Sequence, residues 1–252
     1  MKLLLYLSYL GSDFCGYQVQ PEHRTVQGEL CRAAKEIFGY DCDITGCSRT
    51  DSGVHANMFC ATVTKKGEDT LDTHIGIERI PSAMNAHLPP DIAVWSAEWR
   101  DGDFHPRYDV KYKEYIYRIY NRRERDPFEE GRSLYYPKAI TENAFDNMNK
   151  AAQNLQGIHD FSAFMAQGSK VESTVRNIQY ASVERHGDVI VFRVAADGFL
   201  YNMVRILTGT LIFVAEGKIS PDEINDIILS CDRSRAGMTA PAYGLYLNKV
   251  QY

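Results

Sequence analysis

Two hydrophobic periods alternate from one end of the chain to the other, and this constrains the fold more than any other feature of the sequence. Segments near 2–9, 58–64, 91–98, 110–120, 174–184, 188–196 and 245–251 carry the every-second-residue pattern or short apolar runs of strands. Between them lie segments with the helical period. Thr25 to Phe38 places Val26, Leu30, Ala33, Ala34 and Ile37 on one face and stops at Gly39. Thr141 caps a second helix, with Ile140 and Phe145 as a hydrophobic staple and Met148, Ala152 and Leu155 continuing the stripe to Gly157. Phe199 to Ala215 reads as a mostly apolar helix in which Arg205 is the only charged side chain. Ser220-Pro221-Asp222-Glu223 is a capping box with Pro at the first helical position, followed by Ile224, Ile227 and Ile228. No low-complexity linker or short tandem repeat interrupts the series, so the expected class is α+β. The two halves repeat a loose strand–helix–strand order, and Pro89, Pro90 and Pro106 bracket the strand before the second half. A division into residues 1–105 and 106–252 follows.

Composition excludes several classes. With 252 residues, 44% of them hydrophobic, the chain has enough apolar surface for one large core or two modest ones, and disorder is not expected. The start Met-Lys-Leu-Leu-Leu-Tyr-Leu-Ser-Tyr is broken by Tyr6, Ser8 and Tyr9 and reads as a first strand, not a signal peptide. No segment is apolar for the ~20 residues that a bilayer needs. Six cysteines without a Cys-x-x-Cys pair are too sparse for a disulfide scaffold and fit reduced thiols in a cytoplasmic protein. Cys42, Cys47, His55 and Cys60 are the one cluster to weigh for metal, and their spacing matches no regular zinc pattern, so no metal is expected. A formal net charge of −5 argues against a generic polycation that coats nucleic acid.

Charge is nevertheless local. From Phe104 to Arg125, basic residues at 107, 111, 113, 118, 122, 123 and 125 outnumber acidic ones at 109, 114 and 124. Tyr108, Tyr112, Tyr115, Tyr117 and Tyr120 are interleaved with them. Phosphate contact and base stacking on RNA use this combination; an amphipathic strand with a solvated charged face uses it too.

The stretch Gly46 to Ala56, Gly-Cys-Ser-Arg-Thr-Asp-Ser-Gly-Val-His-Ala, holds one carboxylate, Asp51, between Arg49 and a Gly-hinged turn. A short strand at Cys42 to Thr45 precedes it and another at Phe59 to Thr64 follows, which puts Asp51 on a connection, where function concentrates. Small residues at Gly46, Ser48, Ser52 and Gly53 let the backbone bend sharply and a ligand approach closely. By propensity alone, Asp-Ser-Gly is ordinary turn chemistry. Arg205, in its apolar helix, needs a partner or a route to solvent, because an unpaired buried charge is expensive. Asp51 is the partner it suits.

The Gly46–Ala56 stretch resembles the active-site motif of the tRNA pseudouridine synthase A family, usually written Gly-Arg-Thr-Asp-Ala-Gly-Val-His-Ala, in which the Asp is catalytic. Ser48 and Ser52 stand where that family commonly has Gly and Ala. The likeness continues in the family's order. It runs through Tyr9 to Gln18, with Cys15 and Tyr17 where His or Ser and Trp are usual, then Thr25 to Leu30 and Asn85-Ala86-His87-Leu88-Pro89. Phe104-His105-Pro106-Arg107-Tyr108, Lys113 to Arg118 and Gly157 to Phe164 follow. Met203-Val204-Arg205 with Gly209-Thr210-Leu211, Thr239-Ala240-Pro241 and Gly244 to Leu247 close it.

The resemblance implies a pseudouridine synthase fold: two similar α/β halves whose mixed or antiparallel sheets meet at a central catalytic cleft. It implies a homodimer acting on tRNA, at uridines on the 3′ side of the anticodon arm, with no cofactor. Asp51 is then the catalytic carboxylate, Arg205 the arginine held near it, and Tyr115 the ring that stacks on the target uracil. Arg49 serves the neighbouring phosphate or the loop itself, Leu245 lines the base pocket, and Arg107, Arg122 and Arg123 are further candidates for substrate contact.

Two other classes remain open at this level. Asp51-Ser52-Gly53 also matches the triplet of aspartic proteases, but these need two carboxylates sharing a proton, and the chain has no second triplet. A sheet with Tyr and Arg on one face would also serve an RNA-binding module without catalysis.

Overall fold

The computed structural model describes residues 1–168 and 171–252. In chain order the elements are β1 (Lys2–Tyr9), α1 (Val26–Phe38), β2 (Cys42–Gly46), β3 (His55–Lys65), α2 (Ile80–His87), β4 (Ile92–Arg100), β5 (Tyr112–Tyr120), β6 (Leu134–Tyr135), α3 (Glu142–Gln153), β7 (Gly157–Asp160), β8 (Val175–His186), β9 (Val189–Ala196), α4 (Met203–Ala215), α5 (Ile224–Ser230) and β10 (Leu245–Gln251). They form two compact units, Met1–Lys111 together with Leu247–Tyr252, and Tyr112–Tyr246. The last strand thus returns to the first unit, where residues 106–111 also lie, and Lys111 N–H donates to the Gln251 carbonyl at 2.8 Å.

In the first unit the strand order is β4-β1-β3-β10, with β2 also paired to β3. β1 is antiparallel to both its neighbours, and Leu3, Leu4, Leu5 and Leu7 are fully buried, as expected of a central strand written as a continuous apolar run. α1 buries Val26, Leu30, Ala33 and Ala34 and packs on α2 and β2. Its ends follow the sequence: Thr25 Oγ1 accepts from Gly28 N–H at 3.3 Å, and Gly39, at φ 79°, donates its N–H to the Lys35 carbonyl.

Helix α2 is not legible in the periodicity. It has only eight residues, buries only Ile80 and Met84, and carries Pro81 in its first turn, which reads as a breaker in sequence and is tolerated at a helix start. Asn85 pins it to β4, donating to the Val94 carbonyl at 2.7 Å and accepting from Val94 N–H at 2.8 Å.

In the second unit the order is β5-β9-β8-β7, antiparallel throughout, with β6 added to β5 in parallel. α3 packs against β8 and α4, and α4 against β5. Tyr117, Phe161, Phe164 and Phe192 are among the largest fully buried side chains. The capping box at Ser220 forms, with Glu223 accepting from Ser220 N–H at 2.6 Å, and opens a single 3-10 turn before α5.

The apolar helix expected from Phe199 begins instead at Met203. Asn202 adopts the left-handed conformation (φ 58°, ψ 10°), which Asn tolerates better than most residues and which breaks the helical run ahead of it. Among the described residues no helix is long and apolar enough to cross a membrane.

Candidate active site

The carboxylate singled out in the sequence sits on the turn between β2 and β3. Val54 N–H donates to the Asp51 carbonyl at 3.2 Å, and Gly53 takes φ 79°, which closes the turn and leaves the Asp51 side chain half-buried beside it.

This turn is clamped by the segment that follows β1. Tyr9 Oη and Thr50 Oγ1 share a buried hydrogen bond of 2.7 Å, Ser52 Oγ donates to the Phe14 carbonyl at 3.1 Å, and Tyr17 N–H donates to the Thr50 carbonyl at 3.1 Å. Two glycines make the approach possible. A Cβ on Gly11 would overlap the Val54 carbonyl, and one on Gly16, itself at φ 86°, would lie 2.8 Å from the Thr50 oxygen. His55 is fully buried, and its Nδ1 accepts from Gly11 N–H at 2.9 Å, a structural bond that ties β3 to the clamp.

The pairing of these segments has a measurable consequence. Overpacking a close backbone contact costs about 1–3 kcal/mol, so Gly11→Ala should lower the melting temperature by about 2–4 °C for each kcal/mol lost. It should also reduce turnover, by shifting the turn that carries Asp51. Calorimetry and steady-state kinetics on the variant check both, and wild-type values in each would show that the clamp does not position the turn.

The other candidates are distributed as follows. Arg49 and Arg107 are exposed and line one cavity of the first unit together with His105 and Tyr108. In the second unit, Tyr115 is buried on β5, meeting Phe199 edge-on with centroids 5.0 Å apart. Tyr117, on the same face of the strand, donates to the Pro241 carbonyl at 2.8 Å, and burial pushes its hydroxyl far above the usual phenol range.

Arg205 projects from the first turns of α4. Its Nε donates to the Ala240 carbonyl at 2.7 Å and its Nη1 to Asn202 Oδ1 at 2.8 Å. The left-handed Asn202 therefore directs its side chain to the guanidinium instead of capping the helix. Leu245 is buried and opens β10 after the 3-10 turn Ala242–Gly244.

The basic stretch is less free than its count suggests. Arg118 is bound to both oxygens of Glu129, at 2.9 and 3.1 Å, and Arg122 faces Asp188 at 3.2 Å and Glu124 at 3.5 Å. Arg125 lies over the Tyr135 ring, 5.4 Å from its centroid, and Arg123 is exposed. Among the described residues no three His, Cys, Asp or Glu side chains gather as a metal site. Tyr9, Thr50 and Asn202 act as supports without standing out in the sequence; their one signal is their place beside the motif residues.

Comparison with known proteins defines the class first. The family model described as tRNA pseudouridine synthase matches residues 6–109 and 151–252. Three curated relatives carry the name tRNA pseudouridine synthase A. The one from Thermoanaerobacter sp. (strain X514) is 42% identical over 253 residues, covering 100% of this chain and 99% of the relative. The one from Clostridium botulinum (strain Eklund 17B / Type B) is 43% identical over 251 residues, with 100% and 99% covered. The one from Acetivibrio thermocellus is 42% identical over 249 residues, with 98% of each covered. The chain belongs to the tRNA pseudouridine synthase family, isomerases that act on uridine in tRNA.

Proposed function

We propose that the chain converts uridine to pseudouridine on the 3′ side of the anticodon arm of tRNA, with Asp51 as the catalytic carboxylate. The observation that carries this reading is the clamped turn: a single half-buried carboxylate, in the family's motif, sits on a turn whose Thr50 and Ser52 are hydrogen-bonded to a second family segment at Tyr9 and Phe14.

The reaction breaks the N1–C1′ bond, turns the uracil and joins C5 to C1′; C5 loses a proton and N1 gains one, so nothing is added or removed. One carboxylate suffices by either of two routes: it attacks C1′ to give a glycosyl ester, or it removes a sugar proton to give a glycal. The target atom lies inside stacked RNA, so the nucleotide is extruded before it reacts. Tyr115 is assigned to stack on the detached uracil, Arg205 to supply the positive charge that the carboxylate's ionised form requires, and Leu245 to line the base pocket. Arg49, Arg107, Arg122 and Arg123 are assigned to substrate contact.

Mapping of modified uridines in tRNA incubated with the pure protein tests the proposal. Pseudouridine in the anticodon arm is the expected product. An unmodified pool, with folded protein and intact tRNA, would favour an RNA-binding module instead.

Two assembly and binding expectations go with it. The enzyme works as a cytoplasmic homodimer in which one subunit supports the tRNA body while the other modifies it; light scattering that reports a monomer at assay concentration would remove this. Replacing Arg122, Arg123 and Arg125 together with Ala should weaken tRNA binding and flatten its log–log salt dependence by up to about three units. Arg122 should contribute the least, because Asp188 and Glu124 already compensate its charge. An unchanged slope would exclude these side chains from the interface.

A further inference from the structure

A cavity of ≈ 210 Å³ in the first unit is lined by residues flanking the Asp51 turn and by the segment around Arg107. Three observations describe what it would accept. Its charged lining is one-sided: Arg49 and Arg107 contribute guanidinium groups, and none of the described residues lining it is acidic, in a chain of net charge −5. The adjoining cavity, of ≈ 630 Å³, is lined by Asp43, Glu68 and Asp69 against the single Lys2, so its net charge has the opposite sign.

The second observation is aromatic. The His105 and Tyr108 rings meet in a tilted pair with centroids 4.3 Å apart, and Tyr108, 75% exposed, lines the same cavity as the two arginines. Arg107 N–H donates to His105 Nδ1 at 3.1 Å, which orients the imidazole, and burial together with nearby Lys2 lowers its pKa.

The third is Tyr17. Its ring stacks on Phe59 at 4.5 Å and is 3% exposed, yet among the described residues its hydroxyl has no hydrogen-bond partner. Such a group costs stability unless something completes it. Gly46 is what lets the phenol reach the cavity, because a Cβ there would lie 2.7 Å from Tyr17 Oη.

We infer that the cavity binds a second nucleotide of the substrate RNA, next to the uridine that reacts, with its phosphate on Arg49 and Arg107, its base on the His105–Tyr108 platform and a polar base or sugar atom on Tyr17 Oη. An anion with a flat ring and a polar edge matches all three observations, and single-stranded RNA supplies these together. The inference rests on the proposed function, since it takes RNA as the ligand.

The test uses the full chain and a tRNA transcript. Arg107→Ala/Tyr108→Ala changes two exposed side chains, and Tyr17→Phe removes only the hydroxyl; circular dichroism verifies that both fold. The double variant should weaken tRNA binding by about 10- to 100-fold and lower the salt slope by about one unit. Tyr17→Phe should weaken binding by about fivefold while its melting temperature stays equal to the wild type or rises, because an unsatisfied hydroxyl is gone. Wild-type affinity and salt slope in both variants would overturn the inference and leave the proposed function intact. A wild-type protein that binds tRNA and makes no pseudouridine would overturn the function instead, and the affinities would still report on the cavity.

Discussion

Asp51→Asn should abolish pseudouridine formation while leaving tRNA binding near its wild-type strength. The amide keeps the shape of the side chain and the turn around it, since Val54 N–H bonds to the backbone carbonyl and the clamp bonds to Thr50 and Ser52. What is lost is the charge, and with it both the nucleophile of one route and the base of the other. Loss of the central group of a catalytic unit lowers kcat by on the order of 10⁴-fold or more. Single-turnover assays with filter binding separate the two quantities. A variant that turns over at the wild-type rate would end the assignment of Asp51, and one that fails to bind tRNA would move its role from chemistry to recognition.

The second large effect is expected at Arg205. Arg205→Met keeps most of the bulk but removes the donors to the Ala240 carbonyl and Asn202 Oδ1. Leaving such acceptors unsatisfied costs about 1–3 kcal/mol. On the proposed role, in which Arg205 supplies the positive charge that the carboxylate's ionised form requires, its removal should lower kcat by about 10²–10³-fold, the range of other preorganised electrostatic groups. The two effects separate experimentally. A lower melting temperature with normal kcat would make Arg205 a structural anchor only, and wild-type values of both would remove it from the site and from the support of the Ala240 segment.

These two residues mark what a sequence discloses and what it leaves out. Asp51 stands out because its motif is local: eleven consecutive residues carry the turn, the charge and the small side chains. Arg205 stands out because a lone charge in an apolar helix is visible without coordinates. The helix caps at Thr25 and Thr141 are equally local, and both form as read. The clamp was not legible, because Gly11 and Gly16 owe their role to contacts with Val54 and Thr50, far along the chain, and no spacing rule encodes them. Helix α2 escaped for a different reason: with two buried residues it has no stripe, and the Asn85 bonds to β4 hold what periodicity would not predict. Asn202 looked like one more helical position until its left-handed backbone redirected its side chain to Arg205.

The closing strand gives the molecule an order of construction. Leu247–Tyr252 complete the first unit, yet they are synthesised after the whole of Tyr112–Tyr246, which makes the second unit an insertion between two pieces of the first. The second unit is therefore synthesised before the first has its last strand, and the part of the β3 edge that β2 does not cover waits until β10 arrives. Because the Asp51 turn leads directly into β3, it is among the first parts made and among the last to be secured. Closing a sheet over so long a separation is slow. Activity in a growing chain should therefore appear only after β10 has been made and has paired with β3.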